Sequence, residues 1–370
     1  MIQWRRGVVD EVRSSWAGAI EYAVRLPSGD RVRALGYVDA VGALAPGTAV
    51  LLNTTALERG LGTGGLALVV AAPDALPEPV PDVAAVPGHL VKARYTPSQT
   101  MVLGVDEQDS AHHAVLADAD DLGGLPVVVA DLHSALPAIV AGVREVDPGL
   151  RVAYVMTDGG ALPLDFSRTV AGLRDAGWLA ASVTVGQAYG GDLEAVNVHT
   201  GLLAARHVVG ADLVVVSQGP GNLGTGTRWG FSGTSAGEAV NAAATLRGRP
   251  VCSLRVSGAD PRERHRGVSH HSLTAYGRVA LVRADVPVPL LRGDLAGLGA
   301  DVLAQATELC AASEGRLTLR EVGCEGLDAA LRATPVPLRT MGRGYDDDRA
   351  GFLGAAVAGR FAARMLGAGG

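Results

Sequence analysis

The sequence has few of the features that mark secreted and membrane proteins. It has three cysteines in 370 residues and no Cys-x-x-Cys pair, so neither a disulfide framework nor a zinc ribbon is expected. No apolar run approaches the roughly 20 residues of a membrane helix. The N-terminus has two arginines but lacks the apolar segment of a signal peptide. We therefore expect a cytoplasmic protein with reduced thiols at Cys252, Cys310 and Cys324.

Lysine and aromatic residues are also scarce. Lys92 is the one lysine of the chain, and aromatic residues make up 4% of it. The formal net charge is −6, which argues against a nucleic-acid-binding protein, because such proteins usually carry a basic face. The sequence is rich in apolar residues instead, at 48%, so it can bury a sizeable core. Its 50 glycines follow no Gly-X-Y period, which excludes collagen.

The first 72 residues predict a small antiparallel β-barrel of SH3-like or OB-like type. Short alternating apolar runs are separated there by turn residues. The runs lie at 7–12, 20–26, 32–38 and 48–53. Five prolines then fall within 72–88, and this composition predicts an extended linker over residues 73–88.

Residues 89–370 predict a doubly wound, mainly parallel, Rossmann-like α/β domain. Continuous apolar runs alternate with helix-like stretches, as in parallel sheets that are covered on both faces. The predicted strands are 126–131, 151–158, 179–185, 211–218, 250–257 and 315–322. Predicted helices occupy 134–146, 163–176, 192–209, 234–247, 296–313, 325–333 and 347–366.

Polar and glycine residues follow the predicted strands. Ligands of open parallel sheets bind beyond the carboxyl ends of the strands, so these loops are candidate site segments. The loops begin at Asp131, Thr157, Gly186, Gln218 and Asp260.

The glycine-rich segment 219–233, GPGNLGTGTRWGFSG, is the strongest single motif. Glycines let the backbone approach a ligand and turn its N–H groups toward an anion such as phosphate. The segment is neither a Walker A loop nor a strict GxGxxG. A connection that needs glycine only for tight turns is the alternative. The candidate anion-binding residues are Gly219, Gly221, Gly224, Thr225, Gly226 and Thr227.

A second group of candidate residues lies in RERHRGVSHH at 262–271. Arg262 and Arg264 suit the recognition of phosphate or carboxylate. His265, His270 and His271 could act as general acid or base near neutral pH, or could ligate a metal. Adjacent histidines point to opposite faces of an extended chain, so we expect one of His270 and His271 to face the cleft. Histidines that bond within their own loop are the alternative.

Carboxylates complete the predicted site. Asp158 directly follows a strand and is predicted to orient substrate or to hold a divalent ion. Asp192 is interpreted equally well as a ligand or as the cap of a helix. The acids of 346–348 are interpreted as caps of the last helix. No particular cofactor is identified, and a divalent metal is left open with candidate ligands Asp158, Asp192, His133 and His270.

Several segments together resemble a bacterial family of uncharacterised proteins, a domain of unknown function. The resemblance covers nearly the whole chain and implies no activity, cofactor or catalytic residue. The segments are GHLVKARYTPSQ (88–99), YVMTDGGALP (154–163), AYGGDLEAVN (188–197), GPGNLGTGTRWGFSG (219–233), RERHRGVSHHSLT (262–274) and TMGRGYDDD (340–348).

Three functions fit these features. The first is an enzyme of hydrolase or transferase type that acts on a small phosphorylated or otherwise anionic metabolite. The second is a non-catalytic protein that binds a nucleotide or metabolite or serves in assembly. The third gives the barrel a role in nucleic-acid binding, for which its sequence offers only Trp4, Arg5 and Arg6. We expect a small anionic ligand, no membrane and no nucleic acid, and leave a homo-oligomer open.

Overall fold

The structure is a computed structural model that describes residues 1–367. The chain divides into two compact units. The first comprises residues 1–87, 96–98 and 165–171, and the second comprises the rest. The predicted fold class, a small N-terminal β-barrel followed by a mainly parallel α/β domain, is confirmed.

Five strands close the barrel in the order β1-β2-β3-β5-β4. The pairs are antiparallel as predicted, except that β3 and β5 are parallel. The elements of this segment are β1 Trp4–Trp16, β2 Ala19–Arg25, β3 Arg31–Tyr37, α1 Val38–Val41, β4 Ala49–Asn53, α2 Thr55–Glu58 and β5 Ala67–Ala71. β1 pairs with both β2 and β4, and two register shifts after Val9 and Val12 let this long strand bend. Tyr22, Val24 and Leu52 are fully buried in the barrel core.

Glu21 is a buried carboxylate in the barrel unit, 3% exposed. Arg33 donates two hydrogen bonds to it, at 2.7 Å from Nε and 3.1 Å from Nη2. Arg168 donates another to Oε2, and Nε of Arg13 lies 3.4 Å from Oε1. The hydrogen bonds from Arg33 hold the pKa of Glu21 below its ordinary value, although burial acts in the opposite direction.

Replacing Glu21 with glutamine should destabilise the barrel by about 1–2 kcal/mol at neutral pH. This cost is smaller than that of breaking a fully buried ion pair, because Arg33 and Arg168 are about half exposed. Since folding lowers the pKa of this carboxyl, its stabilisation is complete above about pH 4.5 and is lost as pH falls through the lowered pKa. Hydrogen exchange of β2 amides at neutral and at acid pH measures the difference. Exposed Glu11→Gln is the matched control, and an effect of Glu21→Gln that is independent of pH would contradict the assignment.

The second unit is built on an eight-stranded, wholly parallel sheet of order β11-β10-β9-β12-β8-β13-β16-β17. Three two-stranded antiparallel ribbons accompany it: β6-β7, β14-β15 and β18-β19. The strands in chain order are β6 Leu90–Lys92, β7 Thr100–Val102, β8 Pro126–Ala130, β9 Val152–Thr157, β10 Ala181–Thr184, β11 Leu193–Glu194, β12 Leu213–Gln218, β13 Arg249–Ser253, β14 Val256–Ser257, β15 Gly267–Val268, β16 Ala284–Leu290, β17 Leu317–Gly323, β18 Arg339–Thr340 and β19 Arg343–Gly344.

Sequence analysis missed the strand β16, whose sequence is ADVPVPL. Proline cannot donate to a strand ladder, so two prolines argued against a strand inside a sheet. β16 pairs with β17 over seven residues but meets β13 at the single pair Val251–Asp285. The pairing with β13 ends at Asp285, before Pro287 and Pro289. The N–H groups that these prolines lack are therefore not needed on that side.

Several of the remaining helices pack on the sheet. No helix within residues 1–367 is long and apolar enough to cross a membrane. The remaining helices are α3 His113–Leu116, α4 Leu136–Val146, α5 Arg168–Asp175, α6 Val198–His207, α7 Ser235–Thr245, α8 His270–Thr274, α9 Ala296–Ala311, α10 Leu327–Arg332 and α11 Arg349–Gly367. The interpretation of Asp192 as a helix cap is wrong. The next residues form β11, and α6 has Asn197 as its N-cap, which accepts a hydrogen bond from Thr200 N at 3.1 Å.

The sheet reverses its direction of winding between β8 and β12. These strands are neighbours, but the chain leaves β8 toward β9 and leaves β12 toward β13, on the other side. With right-handed crossovers, α4 and α7 then lie on opposite faces. In agreement, α4 packs against α11, whereas α7 packs against α6. A crevice at such a switch point is where open α/β sheets bind ligands.

Candidate functional site

Three buried polar atoms lie where the central strands end. Asp131 follows β8, Thr157 ends β9 and Gln218 ends β12. Asp131 Oδ2, Thr157 Oγ1 and Gln218 Oε1 are buried and have no hydrogen-bond partner within residues 1–367. Each such atom costs about 1–3 kcal/mol. A concentration of these atoms at the switch point is typical of a site that a ligand completes.

The three histidines of the 262–271 segment come together at the same edge. β13 ends at Ser253, and the chain then forms the β14-β15 ribbon, whose turn contains His265. Ser269 follows the ribbon and caps α8, accepting a hydrogen bond from His271 N at 3.2 Å. His270 therefore begins a helix, and both it and His271 join the cluster. This corrects the expectation, drawn from an extended chain, that one of the two would face away.

The histidine cluster is compact, with His265 and His271 buried and His270 half-buried. One ring nitrogen of each of His265, His270 and His271 lies within 4.8 Å of those of the other two. The ring centroids are 4.4–4.9 Å apart. Phe231 stacks on His271 with a centroid distance of 3.9 Å and nearly parallel planes, which fixes the orientation of that ring.

The surroundings of the cluster define its electrostatics. Asp131 Oδ2 lies 3.7 Å from Nδ1 of His271, and Arg255 Nη1 lies 3.3 Å from the same nitrogen. Burial, together with nearby arginines, lowers the pKa of His265 to about 3 and that of His270 to about 4. These two rings are therefore neutral at pH 7 and do not titrate near neutrality, contrary to the expectation from sequence.

Arginines and carboxylates form a second layer behind the histidines. Asp260 is fully buried and accepts hydrogen bonds from Arg262 Nε at 2.9 Å and Nη2 at 2.8 Å. Arg343 bonds to Asp260 and also to Asp348, each at 3.3 Å. Arg262, predicted to bind an anion, is thus already engaged by a carboxylate. Asp348, interpreted as a helix cap, is buried and accepts hydrogen bonds from Ser257 Oγ and Gly258 N.

A cavity of about 40 Å³ adjoins Asp131 and Arg255. Its wall also includes Ser134, Thr340 and Arg343. This space suits water or a small ion, since a buried water needs at least roughly 10–15 Å³. A larger ligand does not fit into this cavity.

The glycine-rich segment forms a small exposed ribbon beside the histidines. Gly224 bridges to Phe231, and Asn222 Nδ2 lies 3.4 Å from Nδ1 of His271. Gly226 has a φ of +83°. A Cβ atom added to Gly226 would lie 3.7 Å from Nη2 of Arg264, so the two residues are neighbours. The structure therefore brings the predicted anion-binding loop together with Arg264 and with the histidines.

The base of this loop is joined to the turn after β9. Gly219 N donates to Thr157 O at 3.2 Å, and Ala161 N donates to Pro220 O at 2.7 Å. A Cβ at Gly219 would lie 2.4 Å from the carbonyl oxygen of Ala161, so glycine is required there for close approach. Thr225 and Thr227 bond to each other through their hydroxyls at 3.1 Å, and Gly221 has a φ of +95°.

Three of the other predicted residues have different partners. Asp158 is exposed, and its Oδ2 accepts a hydrogen bond from Gln187 N at 2.8 Å. Asp192 bonds to Ser182 N and Oγ, both at 2.7 Å. His133 is buried, and its Nδ1 lies 3.0 Å from Tyr154 Oη. Of the four metal-ligand candidates, His270 alone belongs to the histidine cluster.

Sequence reasoning did not select Arg255 or Phe231, and it passed over Asp131 and Gln218. Asp131 and Gln218 end buried central strands, and that position was the available signal. Arg255 and Phe231 had no comparable signal, because an arginine and an aromatic residue near a loop are common anywhere on a surface. Their contacts with His271 depend on chain segments that meet only in the folded protein.

Comparison with known proteins adds a family but no activity. A family model described as "Protein of unknown function (DUF3866)" matches residues 33–359. No curated protein matches the chain. One similar solved structure is the signal recognition particle 54 kDa protein from Aeropyrum pernix K1 in complex with GDP. It is 16% identical with a TM-score of 0.30, and the match covers 56% of this chain and 45% of that one. This chain thus spans less than half the length of that structure.

Proposed function

The chain belongs to the family of proteins of unknown function whose model it matches, and we propose that it is an enzyme acting on a small anionic metabolite. The reaction would be of hydrolase or transferase type, at the switch point between β8 and β12. The observation that carries the proposal is the buried Asp131 carboxylate, whose Oδ2 has no hydrogen-bond partner within residues 1–367 and lies 3.7 Å from His271. A carboxylate beside an imidazole is the arrangement that orients a histidine for proton transfer.

The anionic group of the substrate would bind to Arg264 and the glycine loop. Arg264 lies next to Gly226, and no ion pair of its guanidinium with a carboxylate is present among the described residues. Arg262, in contrast, is paired with Asp260, and Arg343 is paired with Asp260 and Asp348. An arginine beside glycine N–H groups fits phosphate or carboxylate, because both offer several acceptor oxygens.

Proton transfer would fall to Asp131 and His271. The stack with Phe231 holds the ring of His271, and Asp131 faces its Nδ1, so Nε2 is directed to a reacting group. His265 and His270 are neutral and would stabilise charge that develops on the substrate rather than donate a proton at neutral pH. Asp158, the carboxylate predicted from sequence, is exposed and bonded to Gln187, which favours Asp131 for this role.

Anion binding is tested first, by thermal shift and calorimetry with inorganic phosphate. Phosphate should raise the Tm because it would bind the folded state only. Arg264→Ala should weaken the affinity about 10- to 100-fold, the range for a hydrogen bond with a charged group. Exposed Arg278→Ala is the matched control. Equal phosphate affinity in both variants would contradict the anion site.

Catalysis is tested by screening phosphate monoesters, phosphodiesters and carboxylic esters for turnover. Asp131→Asn should lower kcat about 100-fold or more, since general acid–base groups contribute about 10²–10⁴-fold. The same variant should fold with a stability close to that of the wild type, because asparagine has the same shape as aspartate and Oδ2 has no hydrogen bond to lose. Exposed Asp118→Asn is the control. Anion binding without turnover of any substrate class would support the alternative of a non-catalytic binding protein.

A further inference from the structure

We propose that His265, His270 and His271 form a binding site for one divalent transition-metal ion of the zinc type. Neither the family nor the proposed anion-binding residues require such a site. Within residues 1–367, no other group of at least three histidine, cysteine, aspartate or glutamate side chains comes close enough to hold a metal ion.

The hydrogen bonds of the three rings direct one nitrogen of each toward a common ligand. Nδ1 of His265 lies 2.7 Å from Ser269 Oγ, and Nδ1 of His271 faces Asp131, Arg255 and Asn222. In both rings, Nε2 is therefore the nitrogen left for a metal. His271 would then carry its proton on Nδ1, directed to Asp131, so in the metal-bound protein proton transfer would fall to Asp131 rather than to His271. In His270, Nε2 itself is buried and has no hydrogen-bond partner in the described chain.

Burial makes this arrangement costly unless something completes it. His265 is 1% exposed and His271 is 7% exposed. A buried imidazole nitrogen ordinarily bonds to a carbonyl, a carboxylate or water. In this cluster, other imidazole rings occupy the space of such a partner. A bound cation would satisfy all three lone pairs at once, whereas protonation of the rings would create mutual repulsion in a buried space.

The donor set selects the class of metal. Imidazole nitrogen suits zinc and its neighbours, whereas magnesium and calcium prefer oxygen ligands. At a metal–nitrogen distance of about 2.0–2.1 Å, the donors of a tetrahedral site are roughly 3.4 Å apart. The present separation is up to 4.8 Å, so the rings have to move closer together when a metal binds. Three protein ligands would leave a fourth position open, as in catalytic zinc sites.

The neighbouring charges permit a cation despite the arginines. Arg262 and Arg343 pair with Asp260 and Asp348, and Arg255, which contacts His271, lies 3.7 Å from Asp260 and also interacts with Asp131. Asp131 offers a carboxylate oxygen that has no hydrogen-bond partner in the described chain and lies 3.7 Å from Nδ1 of His271. A carboxylate behind a ligating imidazole is the usual outer-shell partner of a metal-bound histidine.

The test is metal binding by the full-length chain without substrate. Protein stripped with a chelator should take up one equivalent of Zn²⁺ or Co²⁺, measured by elemental analysis and calorimetry, and Co²⁺ should give the visible absorption of a tetrahedral nitrogen site. His270→Ala and His265→Ala should each weaken the affinity by about 100-fold or more, because loss of an outer-shell partner alone costs about 10- to 100-fold. Asp131→Asn should fall within that smaller range.

His199→Ala is the matched control, since this histidine is exposed on α6. The half-buried position of His270 makes its alanine variant the least disruptive, and a melting curve of each metal-free variant confirms that it folds. The absence of stoichiometric uptake, or equal affinity in His270→Ala and His199→Ala, would overturn the metal site. Either result is independent of the phosphate affinity that depends on Arg264, so the metal site and the proposed function can fail separately.

Discussion

Replacement of Lys92 by methionine should destabilise the α/β unit by about 3–5 kcal/mol, the cost of leaving one partner of a buried ion pair alone. Lys92 is fully buried, and its Nζ lies 3.3 Å from Glu194 Oε2. Nζ also donates to the carbonyl oxygens of Gly186, Ala188 and Ala195, at 2.8–3.1 Å. Methionine has a similar shape but no donor. The variant would therefore leave a buried carboxylate without its cation and three carbonyls without a partner.

Calorimetric unfolding of wild type and variant measures this cost. Burial lowers the pKa of Lys92 and raises the pKa of Glu194, and the charge of the partner opposes both shifts. The charged form of each group is therefore stabilised by the other. The double variant Lys92→Met/Glu194→Gln should recover part of the loss, because it removes the unpaired carboxylate as well. A loss of stability below about 1 kcal/mol in Lys92→Met would contradict a buried ion pair, since exposed pairs contribute no more than that.

Replacement of Gly359 by valine should cost about 3 kcal/mol or more, at the upper end of overpacking effects. A Cβ on Gly359 of α11 would lie 1.9 Å from the carbonyl oxygen of Ile139 in α4. The contact is reciprocal, because a Cβ on Gly142 of α4 would lie 1.9 Å from the carbonyl oxygen of Ala356. The clashing atoms are backbone atoms, so a rotamer change cannot relieve them and the two helices must separate.

Chemical denaturation of this variant should show a lower midpoint with little change in m-value. Gly297→Ala is the control, because Gly297 lies in α9 with nothing within 4 Å of a Cβ. That substitution should be neutral or stabilise by up to about 1 kcal/mol through helix propensity. Full stability of Gly359→Val would mean that α4 and α11 are not in direct backbone contact.

Local sequence patterns were sufficient for most of the fold. Alternating apolar residues predicted four of the five barrel strands, and continuous β-branched runs predicted β8, β9, β10, β12 and β13. Both succeed because strand period and burial are properties of short segments. The patterns failed where local and tertiary preferences differ. The prolines of 284–290 disfavour a strand because they lack an N–H donor. They are tolerated in β16 because β13, its neighbour on one side, pairs with it at a single residue pair. At 192–194, the acids suggested a helix start, whereas β10 supplied a partner strand.

The sequence by itself determined most of the elements, the order of barrel and α/β domain, and the edge of the sheet at which polar residues gather. That edge follows from topology, because parallel strands end on the same side. Only the tertiary structure decided which polar residues meet there. It joined His265, His270, His271 and Asp131, engaged Arg262 with Asp260, and left Asp158 exposed. The physical reason is that contacts between residues far apart in the chain depend on side-chain packing and burial, which no local pattern encodes.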